Sequence, residues 1–166
     1  MGEPATPQQL FARLDQLGIA HRSVEHPPLR TVEEAKALRG ELPGAHIKNL
    51  FLRNKREEMW LVVALEDRPI DLKALAQKLD AGRFSFGSPE RLMRHLGILP
   101  GAVSPLALIN DAEHKVRPVI DREILAYPLV NAHPLRNAQT TALSPADLLR
   151  FIESLGHHPT LIDLGG

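Results

Sequence analysis

The sequence predicts an α+β domain in which helices flank a mixed, largely antiparallel central sheet. Strand patterns cluster in the middle of the 166 residues, and helix patterns lie at both ends and between the strands. Neighbouring strand patterns are often joined by turns too short for a crossover helix, which favours antiparallel pairing. No low-complexity tract or long linker divides the chain. Residues 1–166 are therefore expected to form a single domain.

The start of the chain shows two helix patterns separated by an extended segment. The first helix begins at Thr6, which can cap it, and ends at Gly18. Its apolar residues fall on one face: Leu10, Phe11, Leu14 and Leu17. Residues 21–25 are expected to be extended before a Pro-Pro break. A capping-box pattern at residues 31–34 predicts a second helix that ends near Gly40.

The clearest hairpin pattern pairs two apolar-rich strands, 47–52 and 59–65, around a polar turn. A short amphipathic helix is predicted from Asp71 to Leu79. Ser88 and the proline after it predict the start of another helix, which ends at Gly97.

The second half of the chain is predicted to hold more strands and one last helix. The strand patterns cover residues 106–109, 116–120, 124–129 and 138–142. Ser144 and Pro145 predict the start of a final helix through Leu155, which Gly156 ends.

Composition and charge exclude several classes of protein. Lys plus Arg (20) balances Asp plus Glu (20), whereas proteins that wrap duplex nucleic acid or coat an anionic membrane carry a basic excess. A small footprint at the end of one strand remains compatible with this balance. The absence of cysteine excludes disulfides, Cys-ligated metals and a cysteine nucleophile. Without a signal-peptide pattern or a membrane-spanning apolar run, a cytoplasmic location is expected.

General catalytic motifs do not occur in the sequence. It contains no GxxxxGK[ST], GxGxxG, GxSxG or HExxH pattern, and no two of its 8 histidines have metal-ligand spacing on one helix face. We therefore predict no metal and no cofactor.

A lysine within an apolar strand is the first candidate for chemistry. Lys48 shares a strand face with Leu50 and Leu52, so a buried ammonium there needs a partner or a cleft. The alternative is a lysine whose stem packs at the strand end while its charge reaches water.

Two loops are further candidates. Glycines bracket residues 97–103, where main-chain N–H groups can approach a ligand carbonyl; an ordinary helix stop explains the same pattern. Polar groups gather at residues 131–137, where His133 either contacts substrate or water, or caps a turn. The basic turn with Arg53, Lys55 and Arg56 fits a solvated turn better than a phosphate contact.

Taken in order, these motifs resemble the YbaK/ProX family of prolyl-tRNA editing-type deacylases. The features that match are the Lys48-Asn49-Leu-Phe-Leu strand, the Gly97-x-x-Pro100-Gly101 loop and the His133-Pro-Leu-x-Asn run that leads to the last helix. The resemblance covers almost the whole chain, and the free-standing length is most similar to alanyl-tRNA(Pro) deacylases.

The resemblance implies hydrolysis of the ester that joins a wrong amino acid to the end of tRNA(Pro), without a cofactor. It implies Lys48 and His133 as catalytic residues and Asn49 as a substrate-binding residue, although strand alternation turns Asn49 to the other face unless the strand bulges. Gly97, Pro100, Gly101 and Ala102 are the implied substrate-binding loop, with N–H groups near Gly101 and Ala102 for the carbonyl.

The expected partner is the acceptor end of mischarged tRNA(Pro), with prolyl-tRNA synthetase as a candidate second partner and no membrane. A monomer is expected. Alanine is the preferred substrate, and cysteine, serine or threonine esters are the alternatives. A non-catalytic module that binds aminoacyl-tRNA or a synthetase, and a hydrolase of other small acyl esters, are the competing hypotheses.

Overall fold

The computed structural model describes residues 3–27, 33–34, 37 and 42–164, which contain helices around an eight-stranded sheet. The strands are β1 (His21–Glu25), β2 (Ala45–Arg53), β3 (Met59–Leu65), β4 (Ser85–Phe86), β5 (Val116–Asp121), β6 (Val130–Ala132), β7 (Gln139–Leu143) and β8 (Thr160–Ile162). Their order is β1-β7-β6-β2-β3-β5-β8, and β4 pairs with β2. Four pairings in the described part are antiparallel and three are parallel, so the predicted mixed α+β fold is confirmed.

Four α-helices lie within residues 3–27 and 42–164, and three of them begin directly after the predicted capping residues Thr6, Ser88 and Ser144. They are α1 (Pro7–Gln16), α2 (Leu72–Lys78), α3 (Pro89–Leu96) and α4 (Pro145–Ser154). The side chains of Thr6, Asp71, Ser88 and Ser144 each accept a hydrogen bond from a main-chain N–H of the first turn. The helix predicted over residues 31–40 falls largely outside the described residues.

Two predicted strands are wrong. Residues 106–109 lie in a 3₁₀ helix, Pro105–Asn110, because Ser104 caps it and proline occupies its first position. Residues 124–126 lie in a second 3₁₀ turn, Arg122–Ala126, where the Asp121 side chain accepts a hydrogen bond from the Glu123 N–H, and residues 127–129 form no strand. Both segments bury apolar side chains. An apolar run in the sequence is therefore not enough to distinguish a buried turn from a strand.

The hairpin of β2 and β3 separates two apolar cores. On one face Phe51, Leu61 and Val63 join the main core, which also holds residues of α1, α3 and α4. On the other face Leu52 and Val62 join a smaller core that includes residues of α2. Each buried large apolar side chain contributes about 1.5–3 kcal/mol, so the hairpin is fixed from both sides.

No helix in the described part of the chain is long and apolar enough to cross a membrane.

Candidate active site

One edge of β2 lacks a neighbouring strand over part of its length. Its first edge pairs with β3 from Ile47 to Arg53. Its second edge pairs with β6 only at residues 45–46 and with β4 only at residues 52–53. Among the described residues, no strand covers this second edge from residue 47 to 51, and we call this gap the β2 opening. Residues 47–50 are accordingly half-buried, although β2 lies in the middle of the sheet.

Lys48 and Asn49 lie on opposite faces of the sheet at this opening. Lys48 is opposite Ala64 of β3 and shares its face with Leu52 of the smaller core. Asn49 is opposite Val63 and faces the main core. The register continues through both residues without an extra residue, so β2 has no bulge there and the alternation expected from the sequence is present.

The ammonium group of Lys48 is held by a main-chain oxygen. Its Nζ donates a hydrogen bond to the carbonyl of Arg68, in the segment that follows β3. The Arg68 guanidinium donates from Nε to Oδ2 of Asp121 over 2.8 Å and also contacts Glu123. Asp121 is fully buried at the end of β5. Lys48 is thus a half-buried cation with a fixed partner at the edge of the opening.

His133 lies on the other side of the opening. It follows β6, whose parallel register pairs His46 with Asn131, so His133 and Lys48 each lie two residues beyond this last pair. Its Nδ1 lies 2.9 Å from the carbonyl of Gln139, and since a carbonyl only accepts, Nδ1 carries the proton. Burial lowers the pKa of His133 below its usual value, so at neutral pH Nε2 is an unprotonated acceptor.

The glycine at position 97 is explained by packing. Its φ of +65° ends α3 in the left-handed region, and an added Cβ would lie 2.8 Å from the Asn110 amide and 2.8 Å from the Pro4 ring. Both contacts are within the protein, so the cap accounts for Gly97 without a ligand.

Residues 100–102 form a 3₁₀ turn beside the main core. The N–H of Ala102 donates to the carbonyl of Leu99 over 2.9 Å, and the Ala102 side chain is buried. This donor is therefore used within the turn, which disagrees with the expectation that it binds the substrate carbonyl. Pro100 and Gly101 are exposed.

The loop at residues 133–137, which we call the His133 loop, contacts the loop at residues 97–103, which we call the glycine loop. A Cβ added to Gly101 would lie 3.3 Å from the amide nitrogen of Asn137, so the two loops touch at that glycine. Leu135, within the His133 loop, has a φ of +73°, which a bulky residue adopts only at a cost of about 1–3 kcal/mol. Its side chain packs against the main core and holds the loop in this conformation. The His133 loop therefore joins β6, the strand that pairs with the start of β2, to the glycine loop.

Some residues near the opening were not singled out from the sequence. Nε2 of His26 lies 2.9 Å from the Thr140 hydroxyl, and the His26 ring is 6.4 Å from that of His133. Arg68 and Asp121 were also missed, because the contact that brings them to Lys48 joins distant strands. The sole signal for Asp121 is a carboxylate directly after an apolar strand.

The basic turn between β2 and β3 is neutralised by glutamates. Arg53 lies 3.6 Å from Glu57, and Arg56 lies 3.2 Å from Glu58. These ion pairs agree with a solvated turn.

Within the ranges that the structure describes, no three His, Asp or Glu side chains converge as metal ligands would.

Comparison with known proteins defines the class of this fold. Residues 26–151 match the family model of the aminoacyl-tRNA editing domain. The chain is 37% identical over 158 residues to the prolyl-tRNA editing protein ProX of Acetoanaerobium sticklandii, covering 95% of this chain and 96% of that protein. It is 39% identical over 159 residues to prolyl-tRNA synthetase associated domain-containing protein 1 of Bos taurus, covering 93% and 92%.

The fold is also that of a crystal structure described as a proposed trans-editing enzyme for prolyl tRNA synthetase. The TM-score is 0.73 with 21% identity, and 96% of each chain is covered. The protein belongs to the aminoacyl-tRNA editing domain family.

Proposed function

We propose that this protein is a trans-editing aminoacyl-tRNA deacylase that hydrolyses mischarged Ala-tRNA(Pro). The observation that carries the proposal is the position of Lys48 at the β2 opening, beside β6, whose following loop holds His133 and contacts Gly101, in a chain of the editing family. The name of the ProX relative supports the class of substrate. The whole chain, 1–166, is proposed to act as one editing domain.

The proposed reaction needs orientation more than a strong nucleophile, because an aminoacyl ester is already activated. A water oxygen bonds to the ester carbonyl carbon, the carbon–oxygen bond to the terminal ribose breaks, and the ribose oxygen takes a proton. Nε2 of His133 accepts a hydrogen bond from the attacking water and orients it. The cation of Lys48 binds a phosphate or ester oxygen of the terminal nucleotide.

Alanine is proposed as the amino acid because a proline-specific synthetase cannot exclude it well. A few missing methylenes change binding by about 1–3 kcal/mol each, which leaves a measurable rate of mischarging. A second and smaller site that admits alanine and rejects proline removes the error. Cysteine, serine and threonine esters remain the alternative substrates.

The proposed partner is the acceptor end of tRNA(Pro), with prolyl-tRNA synthetase as a second partner that supplies further affinity. A formal net charge of zero agrees with a small nucleic-acid footprint. The protein is proposed to act as a monomer in the cytoplasm, where tRNA is charged.

A substrate panel tests this proposal. Purified protein is given tRNA(Pro) carrying alanine, proline, cysteine, serine or threonine, and release of each amino acid is measured. We expect rapid loss of alanine and retention of proline. Preference for another ester would assign that substrate instead. Binding without any hydrolysis would establish the non-catalytic module, and hydrolysis that an uncharged acceptor stem does not inhibit would indicate another acyl ester.

A further inference from the structure

The main chain of Asn49 points into the β2 opening. The main-chain N–H and C=O groups of the even-numbered residues of β2 point toward β3. The bonds from Glu66 N to His46 O (2.9 Å) and from Asn54 N to Glu58 O (3.1 Å), at the two ends of the strand, show this. The main-chain groups of the odd-numbered residues point away from β3, toward the second edge of β2. There Ala45 N donates to Leu129 O over 2.8 Å, and Phe51 O accepts from Gly87 N over 2.9 Å.

Asn49 lies between these two bonds, four residues after Ala45 and two before Phe51, where the described chain provides no strand partner. Its N–H and C=O are therefore directed side by side into the opening, as they would be toward one further residue of a strand. Polar main-chain groups in a half-buried position need a partner from protein, water or ligand.

The Asn49 side chain also has a polar atom that needs a hydrogen-bond partner. Its Oδ1 is buried and has no hydrogen-bond partner among the described residues. Such atoms are rare in folded proteins and commonly indicate a missing ligand or water.

We propose that the Asn49 main chain pairs with the aminoacyl group of the substrate as a strand residue would; this rests on the proposed function. The α-ammonium of the amino acid donates to the Asn49 carbonyl, and the ester carbonyl accepts from the Asn49 N–H. An aminoacyl ester has the same N–Cα–C=O spacing as a residue within a strand, so one residue satisfies both groups.

This pairing also gives the reaction an oxyanion donor. As water adds to the carbonyl carbon, negative charge develops on the carbonyl oxygen, and the Asn49 N–H already points at that oxygen. The charge returns to the carbonyl when the bond to the ribose breaks. The pairing thus replaces the Ala102 N–H, which the 3₁₀ turn uses.

The α-ammonium requirement can be tested with three substrates on one tRNA(Pro). These are Ala-tRNA, N-acetyl-Ala-tRNA and lactyl-tRNA, in which a hydroxyl replaces the amine. We expect kcat/KM to fall about 10-fold or more for both analogues, because a neutral hydrogen bond replaces the charge-assisted one. Equal rates for the three esters would overturn the pairing and leave the deacylase function standing. Failure to hydrolyse any ester of the amino-acid panel would instead refute the proposed function.

Removal of the N–H itself tests the oxyanion donor. Incorporation of the α-hydroxy analogue of asparagine at position 49 replaces the amide by an ester. We expect kcat to fall about 100-fold with little change in the unfolding temperature, because this N–H has no partner in the described fold. The same replacement at Leu52, whose N–H also faces β3 and whose preceding carbonyl belongs to Phe51, is the matched control and should lower the unfolding temperature. Unchanged kcat for the position-49 ester would overturn the proposal.

Side-chain variants separate the main chain from its neighbours. Asn49→Ala keeps the main-chain groups, so the preference for Ala-tRNA over N-acetyl-Ala-tRNA should persist. His133→Gln should also keep it, although both variants lower the overall rate. If either variant lost the preference, that side chain and not the Asn49 main chain would recognise the ammonium, and the proposal would be wrong.

Discussion

The side chains of Lys48 and Asp121 lie on the same face of the sheet and are connected through Arg68. Lys48 is opposite Ala64 in β3, and the parallel register of β3 with β5 places Asp121 next to Ala64 on the other side. The Arg68 carbonyl accepts from Lys48, and its guanidinium donates to Asp121. The position of the Lys48 ammonium thus depends on a buried carboxylate two strands away.

Removal of that carboxylate should destabilise the protein strongly. Asp121→Ala leaves Arg68, whose side chain is 13% exposed, without its buried partner, and we expect a loss of about 3–5 kcal/mol. Glu123→Ala is the matched control, since this carboxylate contacts the same guanidinium at 57% exposure and should contribute below about 1 kcal/mol. Urea unfolding measures both. Similar losses for the two variants would show that the buried contact is not the important one.

A comparison of two glycines tests the packing at the start of the glycine loop. Gly97→Ala forces a Cβ against Asn110 and Pro4 at a positive φ, whereas Gly82 has a φ of +79° with nothing within 4 Å of the added atom. Gly82→Ala should cost about 1–2 kcal/mol from the backbone alone, and Gly97→Ala should cost more. The free energy of unfolding of both variants decides this. Equal costs would mean that Asn110 and Pro4 move aside freely.

Stability should decrease in mild acid because of His157. Its side chain is almost fully buried, and Nε2 has no hydrogen bond in the described part of the chain. Burial lowers the pKa of His157 below its usual value, and the nearby Asp111 only partly opposes this. As the pH falls below about 6.5, the unfolded chain takes up a proton that the folded protein does not, so the free energy of unfolding decreases.

Urea unfolding between about pH 7 and about pH 5 measures this effect. His157→Gln should give a shallower decrease than the wild type, and the exposed neighbour His158 provides the control substitution. A decrease as steep in His157→Gln as in the wild type would assign the acid sensitivity to other groups. His133, whose pKa burial also lowers, is the next group to test.

Binding of tRNA should depend only modestly on salt. The formal net charge is zero, and several arginines are paired with glutamates, such as Arg117 of β5 with Glu58 of the hairpin turn at 2.9 Å. We expect a slope of log K against log salt that corresponds to no more than about three phosphate contacts. Titration of labelled uncharged tRNA(Pro) at several salt concentrations gives the slope. A slope equivalent to many contacts would indicate an extended tRNA interface.

Most regular elements were predictable because local chemistry determines them. Helix α4 begins after Ser144 because that side chain caps it, and β2 and β3 show long apolar strands around a polar turn. Residues 106–109 of the 3₁₀ turn were predicted as a strand because the segment is an apolar run, and its first three residues are fully buried. The two-residue strand β4 and the three-residue strand β8 are too short for a pattern.

The sequence indicated which residues belong to the candidate site, but it did not indicate how they are arranged in space. Lys48 was identified because a lysine in an apolar strand is unusual, and His133 because polar residues gather around it. The β2 opening was not predictable, since it depends on how few residues β6 and β4 pair with β2. Arg68 and Asp121 likewise act through contacts between segments far apart in sequence.

The most direct test of the proposed function compares wild type and Lys48→Ala on Ala-tRNA(Pro) and Pro-tRNA(Pro), with tRNA binding and unfolding temperature measured for both proteins. We predict that the wild type releases alanine and spares proline. In Lys48→Ala we predict that alanine release is abolished while the fold and most of the tRNA binding remain. Full alanine release by Lys48→Ala would contradict the central role of this lysine at the β2 opening.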